Sequence, residues 1–418
     1  MENPTETPTT RHPLRDLLFA LLPGVGFMAA FILRNAWDGS QWRFTLFDDA
    51  LISMAYGRTL ATTGEWVWFP EAERVQGITN PLWSAIMALV HVPFTPPSFA
   101  IISMTILGAL LVLATAVVLY SVTRSATSNT PVALAIAAAT PFLYPLTFWS
   151  VRGMEVGLLA LLSSVTVLAV VRVRLSDSRH RRLWLSAAAI AGCAAVFTRL
   201  DALLLIIAII AIAFLTSRST ERLQWLAVGA IVLVATTAVF VFQDFYWGDV
   251  LPNTYRLKVE GVSIQERLAR GVFATAKALP LLVLVLIGGW TTWRSRNQPP
   301  NRLLIVGLGI AVVAVALAYS VWTGGDAWEW SLILNRTVSA ALPIGLVTWM
   351  VGTVYRDSTT PVPAPGLLAL GLAGLGLGMQ TNPNAFDVRL AVIGALLSSS
   401  AAVIIWWGVR WSPRPMLK

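Results

Sequence analysis

The chain has 418 residues, 56% hydrophobic and only 12% charged, with 18 Trp and a mean hydropathy of +0.70. Soluble proteins carry about a quarter charged residues, so this composition excludes an ordinary soluble enzyme, a disordered chain and a nucleic-acid binder. The formal net charge of +9 is then a topology signal, because Lys and Arg of membrane proteins collect on the cytoplasmic side.

The first 13 residues read as a cytoplasmic tail. No apolar core precedes Leu17 and no small-residue cleavage site follows the first apolar run, so that run is expected to stay as the first span. Crossing about 30 Å of hydrocarbon takes around 20 apolar residues. Candidate spans are 14–33, 98–122, 131–149, 153–173, 183–197, 202–216, 225–246, 278–293, 303–322, 338–355, 366–380 and 390–411. The expected fold is therefore all-α: one polytopic transmembrane domain over 14–411, with 412–418 as a cytoplasmic tail. The apolar segment Asn80–Val92 is short, opens with Asn-Pro and closes with PFTPPS, which predicts an interfacial or re-entrant piece. With the N-terminus inside, the inner segments hold 17 Lys+Arg against 6 Asp+Glu and the outer segments hold 13 against 15. This division obeys the positive-inside rule, and a multi-pass plasma-membrane protein is the expectation.

Cys193 sits in an apolar run, where a thiol behaves as a small hydrophobe. As the single cysteine it rules out an intrachain disulfide. His12, His91 and His180 lack ligand-like spacing, which argues against a zinc site.

The outer side has three substantial pieces, 34–97, 247–277 and 323–337, and long loops with unusual chemistry are where function concentrates. In the first, the spacing predicts a short amphipathic helix from Ala50 to Thr62, with Asp48 as its N-cap and Gly64 as its stop. Leu51, Ile52, Ala55 and Thr59 would share a face lying on the membrane surface. Asp48 and Asp49 point about 100° apart on a helix, so one serves a reaction while the other caps, pairs or binds a cation. Capping of the positive helix end is the plain alternative for both.

Further along, Arg152 and Glu155 are three residues apart at an outer span end and so placed to share a helix face. Arg199 and Asp201 lie at a second outer end, Asp244, Asp249, Asn253, Tyr255, Arg256 and Lys258 at a third, and Asp326, Glu329 and Arg336 at a fourth. Each cluster alone has a structural explanation as an ion pair, a snorkelling side chain, a turn or a cap. Their common side favours one polar site, since ionisable residues at membrane depth face a polar interior. The aromatics Trp37, Trp42, Trp66, Trp68, Trp247, Trp322, Trp328 and Trp330 form an interfacial belt by default.

There is no Walker motif and no dinucleotide fingerprint, and a donor embedded in the bilayer with its phosphate at the interface matches cations beside carboxylates. Arg and Lys would neutralise the leaving phosphate while a carboxylate acts on the acceptor hydroxyl. The reading is glycosyl transfer from a lipid-linked sugar. A transporter or flippase of the lipid-linked precursor would want charges near the midplane and paired broken helices instead. A non-catalytic membrane relative is the third reading.

The ordered set FDDALISMAYGRTLATTGEWVWFPEAERVQGITNPLW, FWSVRGMEVGL, FTRLDALLL, YWGDVLPNTYRLK and WTGGDAW, spread over residues 40 to 345, resembles the GT-C membrane glycosyltransferases. It is most similar to the terminal β-(1→2)-arabinofuranosyltransferases of actinobacterial cell-wall arabinan. The resemblance implies a GT-C-like fold, an extracytoplasmic site, a decaprenyl-phosphate-linked arabinofuranose donor and a cell-envelope polysaccharide or glycolipid acceptor. It assigns catalysis to Asp48, with Asp49 beside it as partner or as ligand of a divalent cation. Arg152, Arg199, Arg256 and Lys258 would bind the donor phosphate, and Glu155, Asp201, Asn253 and Asp326 would position the sugar or the cations. Two departures stand out: the family's soluble C-terminal domain is expected to be missing after RWSPRPMLK, and AWEW and LNRTVSAALP replace the usual residues around the GGD segment.

Overall fold

The computed structural model describes residues 13–91, 96–128, 130–253, 256, 261–277 and 302–323. Among them there is no strand; Trp37 and Trp42 form an isolated antiparallel bridge. In chain order the helices are α1 (Pro13–Ala36), α2 (Asp48–Thr63), α3 (Pro81–Leu89), α4 (Pro97–Thr127), α5 (Thr130–Ala139), α6 (Tyr144–Val151), α7 (Val156–Leu175), α8 (Ser178–Thr198), α9 (Ala202–Thr216), α10 (Ser219–Trp247), α11 (Ile264–Lys277) and α12 (Arg302–Thr323).

Leu14–Ala36, Pro97–Ala126, Val156–Leu175 and Ser219–Trp247 are each long and apolar enough to cross a membrane. The outward faces of these and the shorter apolar helices carry leucines in the open, such as Leu110, Leu204, Leu226 and Leu233. That surface suits hydrocarbon and not water. The protein is a multi-pass helical membrane protein. The expected spans 278–293, 338–355, 366–380 and 390–411 lie outside the described residues.

One expected span is not a single helix. The stretch 131–149 divides into α5, a 3-10 turn over Thr140–Phe142, and α6. Pro141 has no amide hydrogen to donate and its ring obstructs the preceding turn, so the helical ladder stops there. The break is packed against α1, with Phe142 stacked on Phe27 at a centroid distance of 5.0 Å.

Helices α7 to α10 pack around Ile206, Ile209, Trp225 and Val232, all buried. Successive helices run back and forth, which sorts the connections onto two ends. The turn 152–155, the junction 199–201 and the chain after Trp247 lie at the end that carries the first long loop. The α7–α8 turn and the α9–α10 turn lie at the other, where Arg181 pairs with Glu221.

The first loop is built differently from expectation. The N-cap of α2 is Phe47, extended at φ −71° and ψ 152°, and Asp48 is already inside the first turn. Helix α2 does stop at Gly64, which takes the left-handed conformation at φ 77°. Its buried face is Ala50, Ser53, Met54 and Gly57, turned onto α3, whereas Leu51 is 46% exposed and Thr59 is buried. The predicted membrane-facing stripe of Leu51, Ile52, Ala55 and Thr59 is therefore not one face. Small residues decide this: a Cβ on Gly57 would lie 2.7 Å from the Ser84 carbonyl oxygen, so only glycine lets the two helices come this close. Helix α3 has nine residues, fewer than the roughly 20 that a span takes.

Candidate active site at the loop end

The turn between α6 and α7 organises this end. Gly153 sits at φ 85°, a conformation open to glycine, and a Cβ there would lie 2.9 Å from Leu46. The Gly153 carbonyl accepts from the Trp83 indole N–H at 2.8 Å. One residue earlier, the Arg152 carbonyl accepts from the Phe47 amide at 2.9 Å. The residue before the acidic pair is thus tied to a span end by a main-chain bond.

Arg152 and Glu155 do not share a helix face, because the tight turn at Gly153 sends their side chains apart. Arg152 donates through one guanidinium nitrogen to the Thr45 carbonyl at 3.1 Å and to its hydroxyl at 2.7 Å, and through the other to Asn35 Oδ1 at 3.4 Å. Together with Asn35, Phe44, Thr45 and Thr105 it lines a small cleft. Glu155 is instead 1% exposed and faces the bundle interior.

There Glu155 joins a continuous polar chain. Its Oε1 accepts from Arg199 at 2.8 Å and its Oε2 from the Asn80 amide at 2.8 Å. Asn80 Oδ1 in turn accepts from the Ser53 hydroxyl at 2.9 Å. On the other side Arg199 forks onto Asp201, with Nε to Oδ1 at 2.9 Å and a terminal nitrogen to Oδ2 at 2.7 Å. The Tyr319 hydroxyl donates to Asp201 Oδ2 at 2.6 Å. Five helical pieces, α2, α3, α7, the α8–α9 junction and α12, are joined by this relay.

Electrostatics favour the charged forms of Arg199 and Asp201. Burial works against the Arg199 charge, yet the hydrogen bonds and charges of Asp201 and Glu155 outweigh it and raise its pKa well above the usual value. Burial likewise opposes the Asp201 charge, and the Arg199 guanidinium overcomes it, keeping that carboxyl below the ordinary 3.8. The Arg199 guanidinium joins the Glu155 and Asp201 carboxylates.

Asp48 and Asp49 are both exposed at the start of α2. Asp48 Oδ1 accepts from the Asp49 amide at 3.0 Å, so it braces its own helix start and leaves Oδ2 for other partners. Among the described residues no group of three or more His, Cys, Asp and Glu gathers as a metal site; Asp48 and Asp49 supply at most two carboxylates toward a cation. Arg256 pairs with Asp249 at 2.8 Å, and the Asn253 amide donates to the Gln76 carbonyl at 3.1 Å, which fastens the third cluster to the first loop. Lys258 and Asp326 lie outside the described residues.

Three members of the relay, Ser53, Asn80 and Tyr319, were not singled out from sequence. Asn80 carries a signal in hindsight, an amide directly before the Pro81 helix start. Tyr319 lies inside an apolar run and carries none. Two of the belt tryptophans also have another job: Trp66 Nε1 donates to Ser84 Oγ at 3.0 Å and the Trp66 carbonyl accepts from Trp247 Nε1 at 3.1 Å. They clasp α10 to the first loop.

No protein-family model matches the sequence, and no curated protein matches it. Among solved structures, the chain is similar to the archaeal oligosaccharyltransferase AglB from Archaeoglobus fulgidus in complex with an inhibitory peptide and a dolichol-phosphate. The TM-score is 0.47 and the identity 11%, over 97% of this chain and 52% of that one. The chain thus spans about half the length of that neighbour.

Proposed function

We propose that this protein transfers a sugar from a polyprenyl-phosphate donor to a cell-envelope glycan acceptor on the extracytoplasmic face, with arabinofuranose as the favoured sugar. The observation that carries this reading is an exposed acidic pair opening a helix whose N-cap is bonded to the turn that carries Arg152, at one end of a membrane bundle. Asp48 and Asp49 open α2, and Phe47 just before them is bonded to the backbone of Arg152, whose guanidinium lines the small cleft. The sugar and its family assignment rest on the sequence resemblance.

Chemistry follows from the parts. Asp48 takes the proton of the acceptor hydroxyl as that oxygen bonds to the anomeric carbon, and the departing polyprenyl phosphate takes the electrons of the broken carbon–oxygen bond. Arg152, which donates to Thr45 and Asn35 in the cleft, is proposed to receive that phosphate. Glu155, Asn80, Arg199 and Asp201 are positioning residues that hold the loop, the turn and α12 in register. Asp49 is the partner of Asp48 or a ligand for a divalent cation.

Purified wild-type protein and Asp48→Asn, incubated with a panel of polyprenyl-phosphate sugars and an arabinan acceptor, provide the test. Transfer should fall by at least about a hundredfold in Asp48→Asn, the range for losing a positioned acid or base. Undiminished transfer by a folded variant would remove the assignment. Translocation of a fluorescent lipid-linked sugar without any transfer would favour the transporter reading instead.

A further inference from the structure

We infer that the end opposite the loop is a binding site for the headgroup of an anionic phospholipid. Four helix ends meet there, and their side chains are cross-tied: Arg181 pairs with Glu221 at 3.6 Å, and Arg174 donates to the Thr216 hydroxyl. Arg172 lies over the Trp184 ring at 5.8 Å and Arg222 over Phe214 at 5.6 Å. Of these contacts only the Arg181–Glu221 pair sets a negative charge against a positive one; the others fix the geometry of the patch and leave its charge in place. Among the described residues the carboxylates at these helix ends are Asp177 and Glu221. Asp177 caps α8 and bonds His180, and Glu221 is buried against Arg181.

Arg179, Arg182 and Arg218 stand exposed beside that frame, with no carboxylate paired to any of them among the described residues. What flanks them tells which anion fits. Leu175, Leu183, Leu215 and Leu223 occupy the same helix ends and are 52%, 63%, 64% and 73% exposed. Leucines open to the surroundings next to unpaired guanidinia suit a ligand with acyl chains on one side and a phosphate on the other.

The site rests on the membrane character of the chain and is independent of the proposed transfer reaction. Native mass spectrometry of the full chain released from nanodiscs of equal phosphatidylcholine and phosphatidylglycerol reads it directly. Wild type should retain phosphatidylglycerol over phosphatidylcholine, and the triple variant Arg179→Gln/Arg182→Gln/Arg218→Gln should lose at least about tenfold of that preference, given several-fold per surface cation. Arg58→Gln, an exposed arginine on α2 at the loop end, should leave the preference unchanged. Equal retention of both lipids by wild type, or an unaltered preference in the triple variant, overturns the proposal. Competition by glycerol phosphate in solution as effective as by the lipid would show that the acyl chains contribute nothing, and overturns it as well. Should the triple variant fail to fold, the wild-type preference and the single variant Arg182→Gln still decide.

Discussion

The two ends of this bundle use arginine in opposite ways. At the loop end Arg199 is enclosed by Glu155 and Asp201, and its side chain is only 31% exposed. At the other end Arg179, Arg182 and Arg218 are exposed, and the ties that exist there run mainly to a hydroxyl and to aromatic rings. A charge taken out of water must be matched by opposite charge and hydrogen bonds or it costs several kcal/mol. A charge at the interface needs no such match. The first arrangement holds a structure in one geometry, and the second leaves positive charge available to something outside the protein.

The sharpest way to break this contrast is Arg199→Met. It leaves Glu155 and Asp201 facing each other across a buried space, and removal of one member of a buried ionic cluster costs about 3–5 kcal/mol. Thermal unfolding in detergent should show a large drop in midpoint, together with loss of transfer. A midpoint equal to wild type would mean that the cluster carries no structural role.

Acid should do part of the same damage. Asp201 has its pKa held below the usual 3.8 by Arg199, so the folded protein binds its proton less readily than the unfolded chain. The associated stability is fully present above pH 3.8 and is lost as pH falls through the lower folded value. Unfolding midpoints followed downward from pH 7 should therefore decline in that acid range in wild type. In Arg199→Met, burial of Asp201 without its partner raises its folded pKa above the unfolded value, so its contribution reverses sign: acid neutralises the buried carboxyl and the decline through Asp201 should be absent or inverted. Superimposable acid limbs for the two proteins would contradict the linkage.

A smaller break is Asn80→Ala. It removes the bond to Glu155 and strands the Ser53 hydroxyl, both buried, at a cost of about 1–3 kcal/mol. Transfer should fall further than stability alone explains, because α2 would lose its side-chain tie to Glu155 and Asp48 would be held less firmly by the Phe47–Arg152 main-chain bond that remains. Unchanged kcat in a variant of lowered midpoint would confine Asn80 to stability.

How much of this was legible beforehand differs between fold and site. Helices α1, α4, α7, α9 and α10 were readable because each is an apolar run interrupted by charge or turn residues, and hydropathy reports that directly. The break at Pro141 was missed because span-finding by average hydropathy is blind to a proline amid apolar neighbours. At the site, residue type predicted that these charged groups share one end, but not their pairing. Arg152 and Glu155 were expected to meet at spacing three, and the Gly153 turn, with its positive φ, sent one to Thr45 and the other to Arg199. Partners 44 residues apart, such as Glu155 and Arg199, or 118 apart, such as Asp201 and Tyr319, are set by how helices pack, which one sequence does not display.

The smallest effect probes the far end. Arg182→Gln removes an exposed cation that no described carboxylate balances, and surface substitutions of that kind shift stability by at most about 0.5 kcal/mol. Its unfolding midpoint in a neutral detergent should be indistinguishable from wild type. In detergent mixed with phosphatidylglycerol, the wild-type midpoint should rise and the variant's should rise less, since a ligand stabilises only through the contacts it makes with the folded state. A drop for Arg182→Gln in neutral detergent would show that this arginine holds the fold after all, and the division of labour between the two ends would collapse. Equal gains for both proteins with phosphatidylglycerol would leave the loop end intact and take Arg182 out of the lipid site.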